Sequence, residues 1–283
     1  MIENPRVRHT RNSLTYLALL AGALVMLFPL IWTVSTSLKT PDKVTLRYIE
    51  LIPDPWAFEN YLEIFNDQPL LRYTRNTLIL VAAAVFGALV PCSLAAWGFA
   101  RIPFPGRRVL FALLLATMML PYVVQLIPLF IFFDRIGWVN TFWPLILPRV
   151  LGHNAFYIFL MRQFFRGIPV DLFDAARIDG ASEFGVWWRI AMPMSLPVLA
   201  AVSIFAFQFA WDDFLWPLIY LGGNKENWTL AMGLNALKGF EGDENTMNVM
   251  MTFSTLMLVP MLLVFYFGQK YLVRGVSVSG LKG

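Results

Sequence analysis

The feature that most limits how this chain can fold is a series of apolar runs, each about as long as a bilayer is thick. A helix crossing a hydrocarbon core of about 30 Å needs roughly 20 consecutive, mostly apolar residues. Residues 14–34, 77–100, 109–133, 196–221 and 247–267 all reach that length, and the only charges inside them are Asp212 and Asp213. A further run, 141–165, is interrupted by Pro144, Pro148, Gly152, His153 and Asn154, and reads as a span that starts late, near Arg149 or after. Breakers inside a span are tolerated where neighbouring helices satisfy the freed backbone groups. The first run follows Arg6, Arg8 and Arg11, as a secretory signal would. It exceeds the 7–15 apolar residues or so of a signal, and no small-residue cleavage site follows it, so it reads as an uncleaved span.

Composition agrees. The chain is 58% hydrophobic and 14% charged, against about 25% charged in a soluble domain. A globule of 283 residues has too little interior to hide that excess, and disorder calls for the opposite balance. Closed barrels need strands that alternate apolar and polar residues, and runs such as LILVAAAVFGALV do not alternate. The expected fold is all-α and polytopic, with about six transmembrane helices in one transmembrane domain, 1–283; five or seven spans also fit. The lone cysteine, Cys92, permits no internal disulfide. The net charge of +4 reads as loop charge that sets orientation, so nucleic acid is not an expected partner.

Six spans put both ends of the chain on one side. The short link 101–108 carries three arginines, whereas the longer segment 38–75 carries five basic residues over 38 positions. Short basic loops stay in the cytoplasm. The orientation is therefore N-in and C-in: 1–13 cytoplasmic, 38–75 an external loop, 166–195 a cytoplasmic loop and 270–283 a cytoplasmic tail.

The 166–195 loop, RGIPVDLFDAARIDGASEFGVWWRIAMPMS, stands apart by holding Asp171, Asp174, Asp179 and Glu183. Asp171 is placed to cap a short helix running through Asp174, Ala175, Ala176 and Arg177, acid first and base last as the helix dipole prefers. Gly180 supplies a left-handed stop. A second amphipathic helix from Ser182 to Ala191 sets Phe184, Trp187, Trp188 and Ala191 at helical spacings. Composition leaves two readings open: an element resting on lipid headgroups, or one docking closely against a partner protein.

The string DAARIDG–ASEFGVWWR–IAMP resembles the cytoplasmic signature of binding-protein-dependent ABC importer permeases. That pattern is Glu-Ala-Ala, three residues, Gly, nine residues, Ile, one residue, Leu-Pro. Ala175, Ala176, Gly180, Ile190 and Pro193 hold the matching positions with the spacing intact, while Asp174 stands for the usual Glu and Met192 for the Leu. With Arg177, Asp179, Ala181 and Ser182 the likeness extends to the carbohydrate-uptake branch, second permease subunits of the maltose type included. Further matches are SLK at 37–39, NYLEIF at 60–65, FARIPFPGRR at 99–108, GWVNTFWPLILP at 137–148, WDDFLWPL at 211–218 and the final GLKG.

The resemblance implies a permease subunit of an ATP-driven sugar importer in the cell inner membrane. Asp174, Ala175, Ala176, Arg177, Asp179, Gly180, Ala181, Phe184, Ile190 and Pro193 would form its coupling contact with a separate ATPase. Lys282 and Gly283 in the tail would add a weaker one. Implied partners are a paralogous permease subunit, two ATP-binding subunits, an external solute-binding protein, a carbohydrate substrate and membrane lipid. ATP-Mg would sit on the partner ATPase, because no GxxxxGK[ST] phosphate loop occurs in the sequence. The chain itself is expected to hold no cofactor or metal and to be no enzyme, since no nucleophile–base pair or HExxH is present.

Ionisable or polar groups inside spans are candidates for the translocation path. Asp212 and Asp213 read first as hydrated or paired groups and second as substrate contacts; Gln125 and Gln208 read first as interhelical hydrogen bonds. His153 has no partner at metal spacing. The competing function is a stand-alone, ion-coupled secondary transporter, which would show broken-helix repeats and transport alone.

Overall fold

The computed structural model describes residues 5–44, 50–238 and 247–279, so Lys282 and Gly283 lie outside the described residues. Every regular element among them is helical. In chain order these are α1 (Pro5–Ser37), α2 (Pro41–Val44), α3 (Asn60–Asp67), α4 (Leu70–Leu89), α5 (Pro91–Arg101), α6 (Arg107–Thr117) and α7 (Tyr122–Arg135). There follow α8 (Trp143–Val150), α9 (Ala155–Gly167), α10 (Val170–Ile178) and α11 (Glu183–Val186), which runs into a π-helical turn at Trp187–Ala191. The chain continues with α12 (Met192–Met194), α13 (Leu196–Trp211), α14 (Leu215–Leu221), a 3-10 turn at Lys225–Asn227, α15 (Leu230–Lys238) and α16 (Met247–Ser279).

Among the described residues, four stretches are long and apolar enough to cross a membrane: Leu14–Ser37, Leu70–Arg101, Trp143–Gly167 and Met247–Tyr271. A fifth arises if the pair Glu183–Met194 and Leu196–Trp211, which meet at 84°, is one span. The 109–133 run folds as two helices, α6 of 11 residues and α7 of 14. Pro121 is the cause: it lacks an N–H and forces the residue before it out of the helical region. The 141–165 run is already helical from Trp143, earlier than the start expected near Arg149, because Pro144 sits in the first turn where its missing N–H costs nothing. The break falls only at 151–154. Helix α9 starts afresh at Ala155, where the Asn154 side chain accepts a hydrogen bond from the Tyr157 N–H at 3.2 Å.

The chain forms two compact units, 1–69 with 234–259, and 70–233 with 260–283. In the first, the side-chain amide of Asn60 on α3 donates to the carbonyls of Ser37 and Lys39 at 2.9 Å each. Ser37 also shares a 2.7 Å hydrogen bond with the Tyr61 hydroxyl, and its carbonyl accepts from Thr252 on α16 at 3.1 Å. The SLK and NYLEIF strings are thus two halves of one buried polar network, whose acceptors are the orphan carbonyls at the end of α1.

In the second unit α4 and α8 approach so closely that a Cβ at Gly87 would lie 1.8 Å from the Arg149 carbonyl oxygen; only glycine fits there. One core gathers Trp97, Met161, Phe165, Phe173, Trp187 and Val202 from α5, α9, α10, the π-turn and α13. Another gathers Leu80, Phe133, Leu145, Tyr220 and Met232. The second core joins the GWVNTFWP and WDDFLWPL strings. Asn140 N–H donates to the Tyr220 carbonyl at 2.7 Å, and the Asn140 carbonyl accepts from the Asn227 side chain at 2.8 Å.

Candidate coupling site

The 166–195 loop is two short helices around a glycine. Helix α10 begins at Val170, with Pro169 in its capping position, so Asp171 falls inside the first turn. This corrects the expectation that Asp171 is the cap: the cap is Pro169, two residues earlier, whose fixed φ leads the chain directly into the helix. Asp171 still meets the dipole favourably from there. At the other end Gly180 takes φ +84°. Ala181 N–H donates to the Ala176 carbonyl at 2.9 Å and Gly180 N–H to Arg177 at 3.0 Å, the paired bonds of a Schellman ending. Ser182 then caps α11, its hydroxyl accepting from Gly185 N–H at 3.1 Å.

Arg177 holds the two helices in register. Its Nη1 donates to Asp174 at 2.7 Å and its Nε to Glu183 at 2.8 Å. The Glu183 bond first, and the Asp174 bond after it, keep the guanidinium above its ordinary pKa. Both carboxylates are about half exposed, so these bonds add about 0–1 kcal/mol apiece; their contribution is geometric.

The loop has an anchored face and an open one. Phe173 is fully buried, edge-on to Trp97 of α5 with ring centroids 5.0 Å apart. Val186, Trp187 and Ala191 are buried beside it, and Ala176 and Ile190 pack against the same core. Facing outward are Asp174, Ala175, Asp179, Gly180, Ala181, Phe184 and Pro193. Ile178 is 86% exposed and Phe184 62%, with Leu172 and Trp188 also exposed. The spacing that put Phe184, Trp187, Trp188 and Ala191 together therefore splits into two faces. Sequence reasoning missed Ile178, whose only signal was an aliphatic residue between Arg177 and Asp179. It also missed Phe173, flagged only as an aromatic ring among acids.

Where α5 and α9 end, two arginines cross. Arg101 donates to the carbonyl of Phe165 at 2.7 Å from Nη2 and 3.2 Å from Nε, to Arg166 at 3.4 Å, and to Ile168. In return Arg162 on α9 donates to the Phe99 carbonyl at 3.1 Å and stacks over Phe111 at 3.9 Å.

The translocation-path candidates are not brought together. Asp213 forms a 2.6 Å ion pair with Arg149, the side chains 6% and 14% exposed respectively, in the break between α13 and α14. Its neighbour Asp212 is exposed, as are Gln208 and Gln125; the Gln125 amide reaches only the Leu120 carbonyl, at 3.5 Å. His153 rests on the Pro148 carbonyl at 2.9 Å. No cluster of three potential metal ligands occurs among the described residues.

Residues 73–278 match the family described as "Binding-protein-dependent transport system inner membrane component". The arabinooligosaccharides transport system permease protein AraQ of Bacillus subtilis is 34% identical, over 92% of this chain and 92% of its own. The diacetylchitobiose uptake system permease protein NgcG of Streptomyces coelicolor is 30% identical over 94% of this chain and 87% of its own. Among solved structures, a bacterial ABC transporter that imports the acidic polysaccharide alginate contains a chain of the same fold. The TM-score is 0.82 at 23% identity, covering 96% of this chain and all of that one.

Proposed function

The chain belongs to the family of binding-protein-dependent transport system inner membrane components, and from that premise we propose that it is one permease subunit of an ATP-driven sugar importer. Membership makes it a multi-pass inner-membrane transport component and not an enzyme. In the proposed assembly it forms half of the translocation path beside a paralogous permease subunit. Two ATP-binding subunits hold ATP-Mg and carry out hydrolysis, and an external solute-binding protein delivers the carbohydrate. The transmembrane domain 1–283 crosses the bilayer about six times, with 1–13, 166–195 and the 270–283 tail cytoplasmic and 38–75 external. Lys282 and Gly283 add a tail contact to the ATPase.

One observation carries the coupling assignment: the loop is fixed on one face and offered on the other. A helix pinned by Phe173 and Trp187 cannot move without moving α5 and α9, while Ile178 and Phe184 present apolar surface with nothing of this unit covering it. Apolar surface rimmed by charge marks a protein contact. Asp174, Ala175, Arg177, Asp179, Gly180, Ala181 and Phe184 thus form the docking surface, Ala176 and Ile190 hold it to the core, and Pro193 secures its exit. ATP-driven closure of the partner would bias a two-state permease through this link.

Copurification and reconstituted transport test the reading. The chain co-expressed with its permease partner and ATP-binding subunits should purify as one complex, and proteoliposomes should take up sugar only with ATP and the binding protein. Ala175→Asp or Gly180→Pro should leave membrane insertion intact and cut transport about tenfold, the scale of a coupling free energy of one to three kcal/mol. Uptake by the chain alone, driven by an ion gradient, would overturn the assignment.

A further inference from the structure

We propose that Arg101 positions the coupling loop, acting as the joint through which a displacement of α10 reaches α5 and the span it completes. The inference rests on α10–Gly180–α11 being the docking element and assigns a role to a residue outside it.

A guanidinium offers five donors in a planar fork. Arg101 uses its fork on the carbonyls of Phe165, Arg166 and Ile168. The first two belong to the last turn of α9, where carbonyls have no partner within the helix and a cation meets the dipole favourably. Ile168 immediately precedes Pro169, the cap of α10. The same guanidinium lies 4.8 Å above the ring of Phe173, the buried anchor of α10, in cation–π geometry. One side chain at the end of α5 therefore holds the end of α9, the two-residue link and α10 together.

Arg101 does not serve to neutralise a carboxylate, since no ion pair among the described residues includes it. What matters is a rigid, three-acceptor fork. Lysine keeps the charge but places a single point donor there, so the two side chains are separable by experiment.

The test uses the full complex with its binding protein in proteoliposomes, comparing Arg101→Ala, Arg101→Lys and the parent. Sugar carried per ATP hydrolysed is the main reading. A second is the distance distribution between spin labels at Asp171→Cys on α10 and Leu94→Cys on α5, with Cys92→Ala as background. Arg101→Ala should assemble with the ATPase and retain basal hydrolysis, yet carry about tenfold less sugar per ATP and broaden the distance distribution; Arg101→Lys should fall between it and the parent. A ratio and a distribution unchanged from the parent in Arg101→Ala would overturn the proposal. Should Arg101→Ala fail to assemble, Arg101→Lys decides: a lowered ratio supports the joint, a parental one removes it. Ala175→Asp separates the two readings. If it uncouples the complex while Arg101→Ala does not, only the joint fails; if Ala175→Asp still couples, the docking reading fails and the joint with it.

Discussion

At the scale of single residues the Arg149–Asp213 pair decides what the carboxylates of the WDDF string do. Both side chains are largely buried and 2.6 Å apart, and Arg149 keeps Nη1 buried without a partner. Such a pair offsets its own desolvation only while both members are present. Asp213→Ala should therefore destabilise the folded chain by about 3–5 kcal/mol, read as a lowered melting temperature in detergent. The apolar double variant Arg149→Met with Asp213→Leu should recover most of that loss. If the double variant melts normally and also transports normally, Asp213 holds α8 to α13 and touches no sugar. If it melts normally and loses uptake with a raised KM, Asp213 belongs to the path. An Asp213→Ala variant as stable as the parent would show that the pair contributes nothing.

At the scale of elements the π-turn Trp187–Ala191 matters most. It contains one residue more than a regular helical turn, and such bulges concentrate at functional places. Its extra residue sets the rotation of α10 and α11 about the axis that leads into α13. Deleting Arg189, which is exposed, should regularise the helix and turn Ile178 and Phe184 about 100° away from their present direction. The deletion should abolish copurification with the ATPase, whereas Arg189→Ala, which leaves the turn in place, should not. Equal capture by both variants would mean the loop's rotation is immaterial. Nothing in the sequence announced this turn, because a π-bulge carries no composition of its own. The all-α class, the runs at 14–34, 77–100 and 247–267, the Gly180 stop and the helix start at Ser182 were legible, since each follows from a local rule about length, breakers or caps; the 196–221 run instead breaks after Trp211. Arg101, Phe173 and Ile178 were not, because their roles depend on what lies across from them. Phe173 and Ile178 are both apolar residues in a polar loop, and only packing against Trp97 sends one inward and leaves the other out. The split of 109–133 was readable at Pro121, but apolar length outweighed it.

At the scale of the whole molecule, the open face of the 166–195 loop makes this a chain that is finished only in company. Topology is the first thing to check there. Cysteines at Phe184 and Phe58, both strongly exposed, should react with an impermeant maleimide from opposite sides of the membrane, Phe184→Cys only after the cytoplasmic face is opened. Labelling of both from one side would contradict the N-in, C-in arrangement. The same face has a cost for the cell. On the proposed docking, a copy without its ATPase leaves Ile178, Phe184 and Leu172 as an exposed apolar strip, the kind of surface that marks an unmet protein contact. The consequence to be expected is that subunit stoichiometry needs no separate regulator, because surplus copies are the ones left with that strip uncovered. In a strain lacking the ATP-binding subunits, pulse-chase should find the parent chain degraded faster than an Ile178→Ser, Phe184→Ser variant, and that difference should vanish when the partners are restored.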